Sequence, residues 1–230
     1  MQAVPAHNVP AGPLAVRWLA YELAPPQAGA LGTAAVELEN AGAEGWRSVL
    51  LAYHWLDELD NAIDWDGLRT PIPRLDPGAH AEVVARVRAP MPPGRYRLAF
   101  DLVVENLCWL SEVGNEMLTA DVDVGPRDAS GAVAHIPPGV EPAGDWHELV
   151  RSAHEEGFAA VGGAIESRER ELRPYRAGGG RNPSFGEPLV CPSLLEPLEP
   201  NCELAGLPAW RPEGDEPWIY DGRIRARLRK

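Results

Sequence analysis

Cysteine is scarce: the 230 residues include only Cys108, Cys191 and Cys202. The number is odd and no C-x-x-C pair is present, so the ligand spacing of a structural zinc site is missing. Free thiols are expected, with a Cys191–Cys202 disulfide as the alternative. Positive charge is also short. Against 34 Asp and Glu stand 21 Lys and Arg, a formal net charge of −13. Such a chain is a poor match for nucleic acid or an anionic membrane, since both are bound by summed positive charge. No apolar run is long enough to span a bilayer, and the opening MQAVPAHNVPAGPLAV lacks the basic start and apolar run of a signal peptide. The expectation is a soluble, cytoplasmic chain with no membrane insertion.

Catalytic and cofactor signatures are absent as well. No G-x-S-x-G elbow occurs, and Ser184, Ser193 and the scattered histidines form no recognisable order of nucleophile and base. His147 and His154 are seven apart in HELVRSAH, where a zincin helix needs four, so they read as exposed helix histidines. In DELDNAIDWDG the residues Asp64, Asp66 and Gly67 fit the third, fifth and sixth positions of a calcium loop. The first position then falls on Ala62 and the twelfth on Pro73, so a solvated hairpin with charged edges is the better reading. AGGGRNP is followed by no Lys-Ser or Lys-Thr, which makes it a flexible turn rather than a phosphate cradle. No metal and no cofactor is expected.

Alternation is what the sequence has. From Leu14 to Val124 apolar residues recur with period two between clusters of Gly, Pro, Asn and Asp, the pattern of half-buried antiparallel strands. The inward sets are Ala34, Val36 and Leu38; Val83, Ala85 and Val87; Tyr96, Leu98, Phe100, Leu102 and Val104; and Leu118, Ala120, Val122 and Val124. With further strands near 14–23, 48–56 and 62–68 the total is about seven. That number predicts a mainly β fold, an immunoglobulin-like antiparallel β-sandwich over residues 10–126. Trp55, Tyr96, Phe100 and Leu102 are expected in one core. In SVLLAYHWLD the alternation turns Tyr53 and Trp55 inward and His54 outward. DELDN then makes a turn, and Trp65 falls in an edge strand.

After Pro126 the texture changes. Residues 127–144 read as a Pro/Gly-rich linker, and 145–230 as a mostly irregular α+β extension with one or two short helices. DWHELVRSAHEEG predicts a helix capped by Asp145, with Glu148 completing a capping box and Gly157 ending it. FAAVGGAIE suits a strand, SRERELRPY a short helix, and DGRIRARLRK a strand with Arg223, Arg225, Arg227 and Arg229 on one face. Phe185, Leu189, Val190, Leu194, Leu195, Trp210 and Trp218 are too many apolar groups for a fully solvated tail, so the extension is expected to dock on the sandwich. Limited proteolysis is then expected to cut first between Arg127 and Gly144, leaving 145–230 comparatively resistant. Rapid loss of everything after Pro126 would contradict that.

Several motifs carry a resemblance: W-D-G-L-R-T-P-I-P at 65–73, L-D-P-G at 75–78, P-G-R-Y-R-L at 93–98, and D-L-V-V-E at 101–105 followed by W-L-S-E. With them the run from Tyr53 to Val124 resembles immunoglobulin-like accessory domains, of the fibronectin or CARDB type, found with bacterial cell-surface glycan enzymes. It is also similar to the carbohydrate-binding C-terminal sandwich of O-antigen ABC exporters. The resemblance covers about half the chain and implies a noncatalytic, carbohydrate-related module in surface-polysaccharide assembly. The alternatives are a protein-interaction module that recruits or stabilises a glycosyltransferase, and a small transferase-like fragment in 145–230. The stretch from Gly157 to Glu166 is faintly similar to segments of bacterial glycosyltransferases. For direct glycan binding the candidate residues are Trp65 as stacking platform, with Asp66, Arg69 and His54 as hydrogen-bonding groups. The competing reading is that the proline-rich extension covers Trp65.

Overall fold

A computed structural model describes residues 1–132, 140–166, 176–179 and 216–228. The chain divides into two compact units, the first comprising Met1–Pro26, Leu31–Pro90 and Gly94–Val124, the second Gln27–Ala30, Met91–Pro93 and Gly125–Lys230. The expected helix over SRERELRPY, the pair Cys191 and Cys202, Ser184, Ser193 and the apolar residues from Phe185 to Trp210 lie outside the described residues. No helix among the described residues is long and apolar enough to cross a membrane.

The first unit is built from antiparallel strands. These are β1 (Gln2–Ala3), β2 (Val16–Leu23), β3 (Leu31–Asn40), β4 (Val49–Leu56), β5 (Ala62–Asp64), β6 (Thr70–Pro71), β7 (His80–Arg88), β8 (Gly94–Val104), β9 (Cys108–Trp109) and β10 (Leu118–Val124). There are ten where seven were expected, because β1, β6 and β9 are two-residue pairings that alternation cannot reveal. One sheet runs β1-β2-β3-β7. The other runs β10-β8-β4-β5, with β6 also on β4 and β9 also on β8.

The inward sets hold at nearly every position. Ala34, Val36, Leu38, Val83, Ala85, Val87, Leu98, Phe100, Leu102, Leu118, Val122 and Val124 are buried. The two sheets meet through β4, where the Tyr53 hydroxyl accepts a hydrogen bond from the Arg88 amide at 2.9 Å and Trp55 Nε1–H donates to the Arg88 carbonyl at 2.8 Å. Tyr96 lies edge-on to Trp55 with ring centroids 6.2 Å apart, and burial pushes its hydroxyl above the ordinary tyrosine value. Trp55, Phe100 and Leu102 are buried in the same core while Tyr96 stays half-buried at its margin.

Two expectations are corrected here. The strand foreseen at 62–68 ends at Asp64, and the chain bends at Trp65 and Asp66 before β6. The outer face of β4 and β8 is also not solvated: His54, Ala99, Asp101 and Val103 are all buried. Segments after β5 and around β9 cover it, so the sheet centre is buried on both faces.

The β4–β5 turn is organised by Asp57. Its Oδ1 accepts the amides of Leu59 and Asn61, both at 2.8 Å, and its Oδ2 accepts Asn61 Nδ2–H at 2.9 Å. Asp60 takes the left-handed φ of 64° that closes the loop. The Asn61 side-chain bond, then the backbone bonds, hold the Asp57 carboxyl below the usual carboxylate value. A lowered folded value means the turn is supported above the ordinary aspartate range and loses that support as pH falls through the lowered value. The amide resonances of Leu59 and Asn61 are expected to move only in that acidic window; movement near neutral pH would contradict the assignment.

The second unit centres on β14 (Trp218–Leu228). Parallel β12 (Ala160–Glu166) pairs along it, and antiparallel β13 (Arg176–Gly179) and β11 (Val140–Pro142) pair with its two ends. β11 falls within the segment expected to be linker, because its backbone completes the sheet. Helix α1 (Trp146–Glu156) forms as expected, ended by Gly157 at φ 125°. Asp145 caps through its carbonyl, which accepts the Glu148 and Leu149 amides, instead of through its side chain. In β14 the register jumps from Tyr220↔Gly162 to Arg225↔Ala164, so strict alternation fails across DGRI. Asp221 is buried and binds the Arg223 guanidinium, while Ile224 sits 2.6 Å from where a Cβ on Gly163 would lie. Along Arg223, Ile224 and Arg225 exposure alternates as expected, and the side chains of Arg227 and Arg229, the rest of the arginine face foreseen for this strand, lie outside the described residues.

Candidate functional site

β4 has β8 on one side and a split edge on the other. β5 pairs with Trp55 and Leu56, β6 with Leu50 and Leu51, and the five residues between them must leave the sheet plane. Gly67 makes this possible. Its amide donates to the Tyr53 carbonyl at 3.1 Å, and a Cβ there would meet that oxygen at 2.3 Å and the Tyr53 ring at 2.6 Å. The bend lays Trp65 against the outer face of β4. On the far side, β8 turns back through Asn106, at φ 61°, into β9, and this brings Trp109 onto the same face.

All four residues singled out in the sequence come together in this layer. Trp65 stacks on His54 with ring centroids 3.9 Å apart and planes 14° from parallel. Trp109 packs against both, at 4.6 Å from His54 and 6.5 Å from Trp65. The Arg69 guanidinium lies 4.6 Å above the Trp109 ring, a cation–π arrangement. Arg69 donates Nε–H to Glu105 at 2.9 Å, Nη1–H to the Gly67 carbonyl at 2.6 Å, and Nη2–H to Asp66. Trp65 keeps 44% of its surface exposed.

His54 corrects the sequence reading. It does leave the core on the outer face, as alternation requires, but it is fully buried instead of solvent-facing. Its Nδ1 bonds the Trp65 carbonyl, so it supports the platform from beneath and is not positioned to hydrogen-bond a ligand. The acidic residues once weighed as calcium ligands have protein partners: Asp64 accepts the Asp66 amide at 3.1 Å, and Asp66 pairs with Arg69.

Trp109, Glu105 and Asp101 were missed by the sequence reading. Asp101 is buried, and its carboxylate accepts the amides of Leu102 at 2.7 Å and Ser111 at 3.3 Å together with the Ser111 hydroxyl. An Asp flanked by apolar residues in LAFDLVV was a usable signal, since a carboxylate in a strand centre needs donors wherever it is buried.

A concavity that does not include Trp65 lies on β8 and β10, lined by Glu58, Arg95, Tyr96, Arg97, Asp121 and Asp123. Its charges are paired across the strands: Arg97 with Asp121 at 3.0 Å and with Asp60, Arg95 with Asp123 at 3.4 Å. The Asp121 hydrogen bond, with the charge of Asp60 nearby, raises the Arg97 guanidinium above its ordinary value. These are solvated cross-strand ion pairs, worth little energetically, and they hold no exposed indole.

No family model and no curated protein matches the sequence. Solved structures with partial similarity include a β-glucuronidase from glycoside hydrolase family 2, at 12% identity over 49% of this chain and 11% of that one, TM-score 0.31. A family 123 glycoside hydrolase from Clostridium perfringens shares 8% identity over 61% of this chain and 32% of that one, TM-score 0.27. The putative ApaA protein from Bordetella pertussis shares 19% identity over 50% of this chain and 92% of that one, TM-score 0.24. The chain thus spans about a tenth and about a third of the two hydrolases, and at these TM-scores the likenesses carry no argument about what it does.

Proposed function

We propose that the first unit is an immunoglobulin-like, noncatalytic module that binds a glycan, with a role in bacterial surface-polysaccharide assembly, and that Trp65 is its stacking platform. The observation that carries the reading is a half-exposed indole whose hidden face is fixed against a buried ring. A platform immobilised before binding spares the ligand the cost of ordering it. Aromatic faces accept sugar C–H surfaces while neighbouring polar groups bond the hydroxyls. Asp66, Glu105 and Arg69 stand beside the platform as those groups.

The charges narrow the ligand. Arg69 is the residue that would recognise an acidic sugar, yet it is engaged by two carboxylates and a carbonyl. One cation beside two anions leaves the rim net negative, so the module takes uncharged or amino sugars in preference to uronic acids. Trp65→Ala is expected to abolish glycan binding in calorimetry while the unit stays folded, with a cooperative denaturant melt. Undiminished binding would remove Trp65 from the site. Loss of stability in the variant, with no glycan bound by the parent, would assign Trp65 to packing.

A further inference from the structure

Beneath Trp65 lies a proton-bearing group whose hydrogen-bond accounting does not close for a neutral ring. His54 Nδ1 bonds the Trp65 backbone carbonyl. A carbonyl only accepts, so Nδ1 carries a hydrogen. In a neutral imidazole that assignment makes Nε2 a bare lone pair. Nε2 is sealed from solvent and has no hydrogen-bond partner among the described residues, and Asp101 Oδ2 stands 3.7 Å away. A neutral ring would therefore leave a bare lone pair 3.7 Å from a carboxylate in a buried place, which is unfavourable for both groups.

The conflict disappears if one further proton is present, and the surroundings decide where it sits. Asp101 already receives three donors, the amides of Leu102 and Ser111 and the Ser111 hydroxyl. Donors of that kind favour the ionised carboxylate. The remaining place is Nε2. We infer that His54 is held as an imidazolium, ion-paired through Nε2–H to Asp101 and hydrogen-bonded through Nδ1–H to the Trp65 carbonyl, and that it acts as the positioning residue of the Trp65 platform.

The aromatic surroundings fit a cation. Trp65 lies parallel to the ring at 3.9 Å, its face toward the charge, and Trp109 approaches at 4.6 Å with its plane tilted by 60°. Indole is the best of the aromatic partners for a cation, and the attraction grows when water is excluded. β8 supplies Asp101. The β5–β6 segment supplies the Trp65 carbonyl and ring, with Asp64 and Asp66 next to it in sequence and Arg69 one layer out over Trp109. The β9 side supplies Trp109, whose amide donates to Glu112. Among the described residues, Asp101 is the carboxylate that faces Nε2.

The test does not require a glycan, so its outcome is separate from that of the binding proposal. In the 15N-labelled full chain in neutral buffer, with His54→Gln used to identify the signals, both ring nitrogens of His54 are expected to resonate as protonated N–H. A bare, lone-pair resonance for Nε2 would overturn the inference, and this wild-type measurement stands whether or not any variant folds. In folded Asp101→Asn the anion is gone; the ring is expected to become neutral, with Nε2 accepting from the new amide, and the Trp65 indole N–H resonance to shift as the cation leaves its face. A ring still doubly protonated in that variant would remove Asp101 as its anchor.

Discussion

Phe100→Ala is expected to destabilise the first unit by about 3–5 kcal/mol in a denaturant melt. Phe100 is 1% exposed and lies in the middle of β8, opposite Tyr53 on one side and Leu118 on the other. Truncation removes contacts to two strands at once, and a sheet held by both neighbours has little freedom to collapse into the void. Typical domains are stable by about 5–15 kcal/mol, so the loss takes a large share of the total. A cost below about 1 kcal/mol would mean that Phe100 is not in the core and that the register of β8 is wrong, because a one-residue slip exchanges every inward and outward side chain.

Gly67→Ala is the second substitution with a large expected effect, and it acts on the site. The added methyl would lie 2.3 Å from the Tyr53 carbonyl oxygen and 2.6 Å from the Tyr53 ring. Tyr53 is buried and its hydroxyl is tied to the Arg88 amide, so the ring has no room to retreat. The bend must lift away instead. A clash of this kind costs about 1–3 kcal/mol, and the displacement should carry Trp65 off His54, exposing the histidine to solvent. Exchange of the His54 ring N–H protons with solvent is expected to quicken in the variant. If His54 stays protected and the melt is unchanged, the bend is not held by the Gly67–Tyr53 contact.

How far the sequence could be read follows from which faces are covered. Alternation located the core side of Val83, Ala85 and Val87 and of Leu98, Phe100 and Leu102, because one face of each strand points to the other sheet. The same rule failed for His54, Asp101 and Val103, whose face is covered by short segments with no period of their own. A signal was present in SVLLAYHWL, where Leu50, Leu51 and Ala52 are apolar in succession, as strands buried on both faces are. Trp65 falls in the strand expected at 62–68 and Arg69 just beyond it. They do share a layer, but through a bend at Trp65 and Asp66 followed by the close approach of Gly67 to Tyr53, a contact no local pattern encodes. Trp109 reaches the cluster only because Asn106 reverses the chain.

The claim that Trp65 is a ligand platform is tested most directly by titrating the full chain with uncharged and amino-sugar oligosaccharides and mapping the amide and indole resonances that move. The account predicts a saturable shift centred on the Trp65 indole N–H and spreading to Asp66, Arg69 and Glu105, and a weaker response to uronate oligosaccharides. Shifts centred instead on Arg95, Arg97 and Asp121, or no saturable shift with any oligosaccharide, would contradict it.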